Sequence, residues 1–69
     1  MTDDCTKIID LLIEQRHKQG MTQQGLAKMT NLTQSVIARL ENKKATPQLD
    51  TLLKVATALN CEIVIIPTK

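Results

Sequence analysis

The chain has 69 residues and a net charge of +2, with nine Lys and Arg against seven acidic residues. This length suits one domain near the lower limit at which a chain buries enough apolar surface to fold alone. There is no Phe, Tyr or Trp, which excludes the aromatic stacking used by single-strand and RNA binders. Because the net positive charge is small, any affinity for nucleic acid must come from a local cluster of basic residues.

The first predicted helix runs from about Thr6 to Lys18, with Asp3 or Asp4 as its cap. Its apolar residues recur at helical spacing and form one wide stripe, which consists of Ile8, Ile9, Leu11, Leu12 and Ile13. Gly20 is placed to end this helix, because glycine adopts the left-handed conformation at little cost.

Two short helices are predicted next, at about Thr22–Met29 and Thr33–Glu41. Thr22 and Thr33 each stand where a hydroxyl can cap the first turn. Asn31 lies at the corner between the helices and tolerates the left-handed conformation that a tight turn needs. The side chains expected to point inward are Leu26, Ala27, Met29, Val36, Ile37 and Leu40.

The second of these helices has an outward polar face that the core does not need. It consists of Gln34, Ser35, Ala38 and Arg39. In a helix-turn-helix, the second helix enters the DNA major groove and its N-terminal residues contact base edges. Gln pairs with adenine, Arg with guanine, Ser with either base, and Ala contacts a thymine methyl. The alternative is an ordinary helical hairpin with a solvated polar face, and spacing alone does not decide between the two.

A last core helix is predicted from about Gln48 to Leu59, after a cap at Thr46 and a helix-starting Pro47. Its apolar positions are Leu49, Leu52, Leu53, Ala56 and Leu59. Asn60 is expected to adopt the left-handed conformation after it.

The C-terminal tail changes pattern to a β-branched run closed by Pro67, which predicts a short strand. No second strand is predicted, so the expected partner is the same strand of another copy across a two-fold axis. The predicted dimer interface is Ile63, Val64, Ile65 and Ile66. The alternative is a continued fifth helix.

Several separated positions together resemble the phage-repressor (Cro-type, also called XRE) helix-turn-helix family. They are Gln23-x-x-Leu26-Ala27, then Leu32-Thr33-Gln34-Ser35-x-Ile37-x-Arg39-Leu40-Glu41-Asn42, and then Thr46-Pro47-x-Leu49-x-Thr51-Leu52. The resemblance implies a mainly α fold, namely a compact four-helix lambda-repressor-like domain over residues 1–60. The strand or tail over 61–69, predicted from its β-branched run, is expected to be used in dimerisation. Gly25 departs from the pattern, and Asn31 replaces the usual turn glycine.

The resemblance also implies roles for single residues. Arg16 and Glu41 match a partly buried ion pair, although Arg16 could instead contact a phosphate. The positions that resemble the family's contacts to the DNA backbone are Thr22, Gln23, Thr33, Asn42, Lys43 and Lys44. For Asn42 to Lys44, the alternative is a solvated basic loop.

The function expected from these features is a sequence-specific double-stranded DNA-binding regulator, a repressor that binds a pseudo-palindromic operator as a homodimer. The alternative is an antitoxin-type module that binds a toxin protein and regulates its own operon. An enzyme is disfavoured, because His17 has no neighbouring nucleophile. Cys5 and Cys61 are expected as reduced thiols in a cytoplasmic protein, although a disulfide between them remains an alternative. No metal, cofactor or membrane segment is expected.

Overall fold

The computed structural model describes residues 2–68 and contains four helices. They are α1 (Asp3–Lys18), α2 (Gln23–Thr30), α3 (Gln34–Asn42) and α4 (Leu49–Ala58). Helix α2 packs against both α3 and α4, and α1 packs against α3. The prediction of a mainly helical, four-helix domain is therefore confirmed.

Threonine hydroxyls fix where the first three helices begin. The Thr22 hydroxyl accepts a hydrogen bond from the Gly25 N–H at 2.9 Å, and that of Thr33 accepts from the Val36 N–H at 3.2 Å. The cap of α1 is Thr2, which accepts from the Cys5 N–H at 3.3 Å. The predicted acidic cap is wrong, because Asp3 and Asp4 already lie in the first turn, where negative charge is favourable.

A residue in the left-handed conformation follows each helix. Asn31 ends α2 with φ +60°, Asn60 follows α4 with φ +58°, and Gly20 has φ +68° after α1. These three conformations agree with the sequence. A fourth was not foreseen, since Lys43 ends α3 with φ +62°, a conformation that costs energy for a residue with a long side chain.

The core draws on all four helices. Its buried apolar members are Ile9, Leu12, Leu26, Ala27, Ile37, Leu40, Val55, Ala56 and Leu59. Two predicted core members are instead mostly exposed, Leu11 at 61% and Met29 at 60%. Leu11 borders an open groove beside the C-terminal tail, and Met29 borders one beside α4, so neither side chain is covered.

The buried side of α4 also differs from the prediction. The inward stripe runs through Leu52, Val55, Ala56 and Leu59, whereas Leu49 and Leu53 are exposed. Leu49 is the first residue of α4, and its cap residue Gln48 makes no side-chain capping bond. The prediction that Thr46 caps the helix and Pro47 starts it is therefore wrong by two residues.

Residues 61–68 form neither a strand nor a fifth helix. The Cys61 N–H donates to the Ala56 carbonyl at 2.8 Å, and beyond it the side chains from Ile63 to Ile66 are exposed. The predicted C-terminal strand is therefore not supported, because residues 2–68 contain no strand and offer the tail no neighbour for its backbone groups. The β-branched run also explains why the helix does not continue.

Candidate nucleic-acid interface

The predicted base-contacting residues share the exposed side of α3. Gln34, Ser35 and Arg39 are exposed and Ala38 is half-buried, while Ile37 and Leu40 on the other side of the helix are buried. Within residues 2–68, the polar side chains of this face make no hydrogen bond to another part of the fold. The polar face is therefore left open to a partner.

A buried ion pair holds α3 against α1. Arg16 donates from Nε to one carboxylate oxygen of Glu41 at 2.7 Å and from Nη2 to the other at 2.9 Å. The two side chains are only 10% and 11% exposed. A guanidinium donates in a planar fork that matches both oxygens of a carboxylate, so this geometry is among the strongest for an ion pair.

The same two residues also bind the start of α2. Arg16 donates from Nη1 to the Met21 carbonyl at 2.8 Å, and the Gln23 amide donates to a Glu41 oxygen at 3.0 Å. One carboxylate thus connects three helices and sets the position of α3. The alternative in which Arg16 contacts a phosphate does not fit this arrangement, because its guanidinium is already bound inside the domain.

The structure distributes the predicted phosphate-contacting residues over two places. Thr22 and Thr33 lie at the starts of α2 and α3, where each hydroxyl accepts from the backbone and still has its own hydrogen to donate. Gln23 is half-buried, and one of its amide N–H groups is used by Glu41. Asn42, Lys43 and Lys44 lie together at the end of α3.

The loop after α3 is ordered by its own side chains. The Asn42 side-chain oxygen accepts from the Lys44 N–H at 3.0 Å, which forms a local turn. Lys43 donates from Nζ to Asp10 on α1 at 2.6 Å. Lys44 is exposed, and no ion pair among the described residues involves it.

A groove beside Arg39 was not foreseen. It lies between α3 and the start of α4 and is bordered by Thr46, Pro47, Gln48 and Thr51. Gln48 contributes a side-chain amide that caps nothing. The sequence carries no clear signal for this groove, since Gln is a poor capping residue and Thr46 is the better cap candidate.

Other kinds of site find no support in the part of the chain that the structure describes. There, no group of three or more His, Cys, Asp or Glu residues could hold a metal ion, and Cys5 and Cys61 are both free thiols. In residues 2–68, the helices are also too short or too polar to cross a membrane.

Comparison with known families settles which kind of domain this is. The model of the family described as Helix-turn-helix matches residues 12–66, which is most of the chain. The chain belongs to the XRE-type helix-turn-helix family. The matched segment contains α2, α3 and the exposed polar face of α3.

Relatives of this XRE-type domain have the names of regulators. An uncharacterized HTH-type transcriptional regulator of Haemophilus influenzae is 36% identical over 62 residues, covering 90% of this chain and 63% of the relative. The regulator y4dL of Sinorhizobium fredii is 43% identical over 54 residues, covering 78% and 28%. The chain thus spans less than two thirds of these proteins. The family match thus identifies a helix-turn-helix domain, and both relatives are named as transcriptional regulators.

A solved structure shares the fold of this XRE-type domain. A chain described as "Toxin-Antitoxin module from Streptococcus pneumoniae" is 40% identical, with a TM-score of 0.80. The match covers 97% of the present chain and 74% of that chain. The similarity therefore extends through all four helices and most of the tail.

Proposed function

We propose that the chain binds double-stranded DNA in a sequence-specific way and represses transcription from a pseudo-palindromic operator. The observation that supports this most directly is the exposed polar face of α3 (Gln34, Ser35, Ala38 and Arg39) on a helix whose opposite side is fixed by the buried Arg16–Glu41 pair. Contacts to base edges require side chains held in a defined position. The hydrogen bonds from Arg16 on α1 and Gln23 on α2 to Glu41 hold α3 in such a position.

The residue types on this face suit the major groove. Arg39 offers two parallel donors for guanine O6 and N7, and the Gln34 amide can bind adenine at N6 and N7. Ser35 can donate or accept, and the Ala38 methyl group can contact thymine. The four residues offer contacts to more than one kind of base, which a specific operator requires.

Backbone contacts would place this face on the duplex. The hydroxyls of Thr22 and Thr33 lie at the two helix starts, where backbone N–H groups also favour an anion. Asn42 and Lys44 lie beyond the far end of α3. Contacts on both sides of α3 fix the register on DNA without distinguishing sequences.

A homodimer would double the contacts. The apolar tail, defined here as Ile63, Val64, Ile65 and Ile66, is exposed, and Ile65 reaches 96% exposure. Leu11 on α1 lines the same groove as Ile63 and Val64 and is exposed as well. A second copy covering this surface would remove it from water. The dimer would need its two α3 helices about 34 Å apart, one turn of the duplex, to contact successive faces of the major groove.

Selection of bound sequences from random duplex DNA tests this proposal. We expect enrichment of one motif with two-fold symmetry, and loss of one defined base preference in each half when Arg39→Ala is selected in the same way. Enrichment of no motif by the parent chain would overturn the proposal. An asymmetric motif would overturn the homodimeric arrangement.

A second candidate function follows from the structural similarity to the Streptococcus pneumoniae toxin–antitoxin module. The chain would then act as an antitoxin that binds a toxin protein and regulates its own operon. Co-expression with the product of the adjacent gene tests this function. We expect a stable complex on size exclusion and relief of growth arrest, and two independent proteins with no effect on growth would contradict it.

A further inference from the structure

The two lysines after α3 have different electrostatic surroundings. Lys43 Nζ lies 2.6 Å from an Asp10 carboxylate oxygen, and the side chains are 34% and 53% exposed. Lys44 is exposed and has no carboxylate partner among the ion pairs of residues 2–68. The charge of Lys43 is therefore paired within the chain, by a carboxylate that lies 33 positions earlier on α1, whereas that of Lys44 is not.

The backbone of Lys43 is fixed in an unfavourable conformation. Its φ is +62°, and its N–H donates to the Leu40 carbonyl at 3.3 Å as α3 ends. Glycine would adopt this conformation more easily. The side chain of Lys43 must leave Asp10 before it can bind any other anion.

We propose that Asp10 competes with DNA phosphate for Lys43 and thereby lowers the affinity of the chain for every duplex alike. The inference rests on the proposed DNA-binding function. A lysine that binds a phosphate contributes affinity because counterions are released from the DNA. Lys43 contributes less, since Asp10 already neutralises its charge and the pair must first separate.

The exposure of the pair makes this exchange chemically reasonable. Exposed ion pairs are weak and are screened by salt, so a DNA phosphate can compete with the Asp10 carboxylate, although not without cost. Phosphate contacts do not distinguish sequences. Asp10 therefore affects the sequence-independent part of binding, whereas the exposed face of α3 is left unchanged.

The salt dependence of binding by the full chain tests the proposal. Four proteins are compared on the selected operator and on a random duplex: the parent, Asp10→Asn, Lys43→Ala and the double variant. We expect Asp10→Asn to steepen the slope of log affinity against log salt by about 0.9, the value for one additional phosphate contact. Lys43→Ala should flatten the slope of the parent by much less than about 0.9, because Asp10 already holds most of the Lys43 charge.

The double variant separates release of Lys43 from the simple loss of a negative charge. In the Lys43→Ala background, we expect Asp10→Asn to leave the slope unchanged. Asp4→Asn is the matched control, because it removes one exposed carboxylate from the same helix without breaking an ion pair of the described residues. It should not change the slope, and circular dichroism checks that each variant is folded.

Two results would overturn the competition while leaving the proposed function intact. One is an equal effect of Asp10→Asn with and without Lys43. The other is a slope that flattens by about 0.9 in Lys43→Ala alone, since Lys43 would then already contact a phosphate. A parent chain that binds no duplex would overturn both the competition and the proposed function.

Discussion

Arg16 and Glu41 lie 25 positions apart in sequence, yet two hydrogen bonds of 2.7 and 2.9 Å join them. The pair lies between α1 and α3, almost fully removed from water. Glu41 also accepts from Gln23, so a single carboxylate fixes three helices. The position of the exposed α3 face depends on this connection.

Removing one member of this pair should destabilise the whole domain. We expect Arg16→Ala to lower the free energy of unfolding by about 3–5 kcal/mol, because it leaves the Glu41 charge buried without its partner. Urea denaturation followed by circular dichroism measures the change. The matched control is Glu14→Ala, which breaks the exposed pair with Lys18 and should cost about 0.3–0.5 kcal/mol. Equal stability of Arg16→Ala and the parent would contradict the structural role of the pair.

Arg39 and Lys44 should affect DNA binding in different ways. We expect Arg39→Ala to weaken operator binding by about 1–3 kcal/mol and to relax the preference at one base pair per half-site. Lys44→Ala should weaken operator and random DNA alike and flatten the salt dependence by about 0.9. Fluorescence anisotropy with a labelled duplex at several salt concentrations measures both effects. If the two variants lost affinity in the same pattern, the division between base and phosphate contacts would be wrong.

Asn31 should tolerate glycine better than alanine. Its φ of +60° lies in the left-handed region, which costs about 1–2 kcal/mol for an ordinary L-residue. We expect Asn31→Ala to lose about 1 kcal/mol of unfolding free energy and Asn31→Gly to stay within about 1 kcal/mol of the parent. Thermal and urea unfolding of both variants test this order, and a more stable alanine variant would contradict it.

The apolar tail should control association and leave folding unaffected. Ile65 is 96% exposed, so Ile65→Asp should change the unfolding free energy of one copy by no more than about 0.5 kcal/mol. We expect this variant to sediment as a monomer and to bind a full operator more weakly than the parent. Met29→Asp, at another exposed apolar residue, is the control and should still dimerise. A parent chain that sediments as a monomer at every concentration would rule out the proposed dimer.

The sequence predicted the local structure well where one side chain decides it. Thr22, Thr33 and Asn31 were assigned to their caps and turn because a hydroxyl or a left-handed residue has few other uses at those positions. The Arg16–Glu41 contact is different, because it joins residues far apart in sequence. It was expected from the family resemblance alone.

The sequence failed where the outcome depends on which neighbours are present. Leu11, Met29 and Leu53 are apolar residues of the kind found in cores, yet they are exposed. A domain of four helices has too few neighbours to cover every apolar side chain. The sequence pattern also misses the buried Val55, because the side of α4 that is buried depends on how α2 packs against it. The tail was predicted as a strand on β-propensity, which describes packing against a neighbouring strand rather than an intrinsic preference.

The nine-residue aliphatic core has a consequence for the lifetime of the protein. Aromatic side chains bury the largest areas, and this domain has none. We therefore expect so small a domain to have a low free energy of unfolding. A ligand that binds only the folded chain at about 100 times its dissociation constant adds about 2.7 kcal/mol, a large share of such a total. Copies bound to DNA or to a partner protein should therefore resist proteolysis longer than unbound copies. The fraction of the protein that is bound would then help to determine how much of it accumulates.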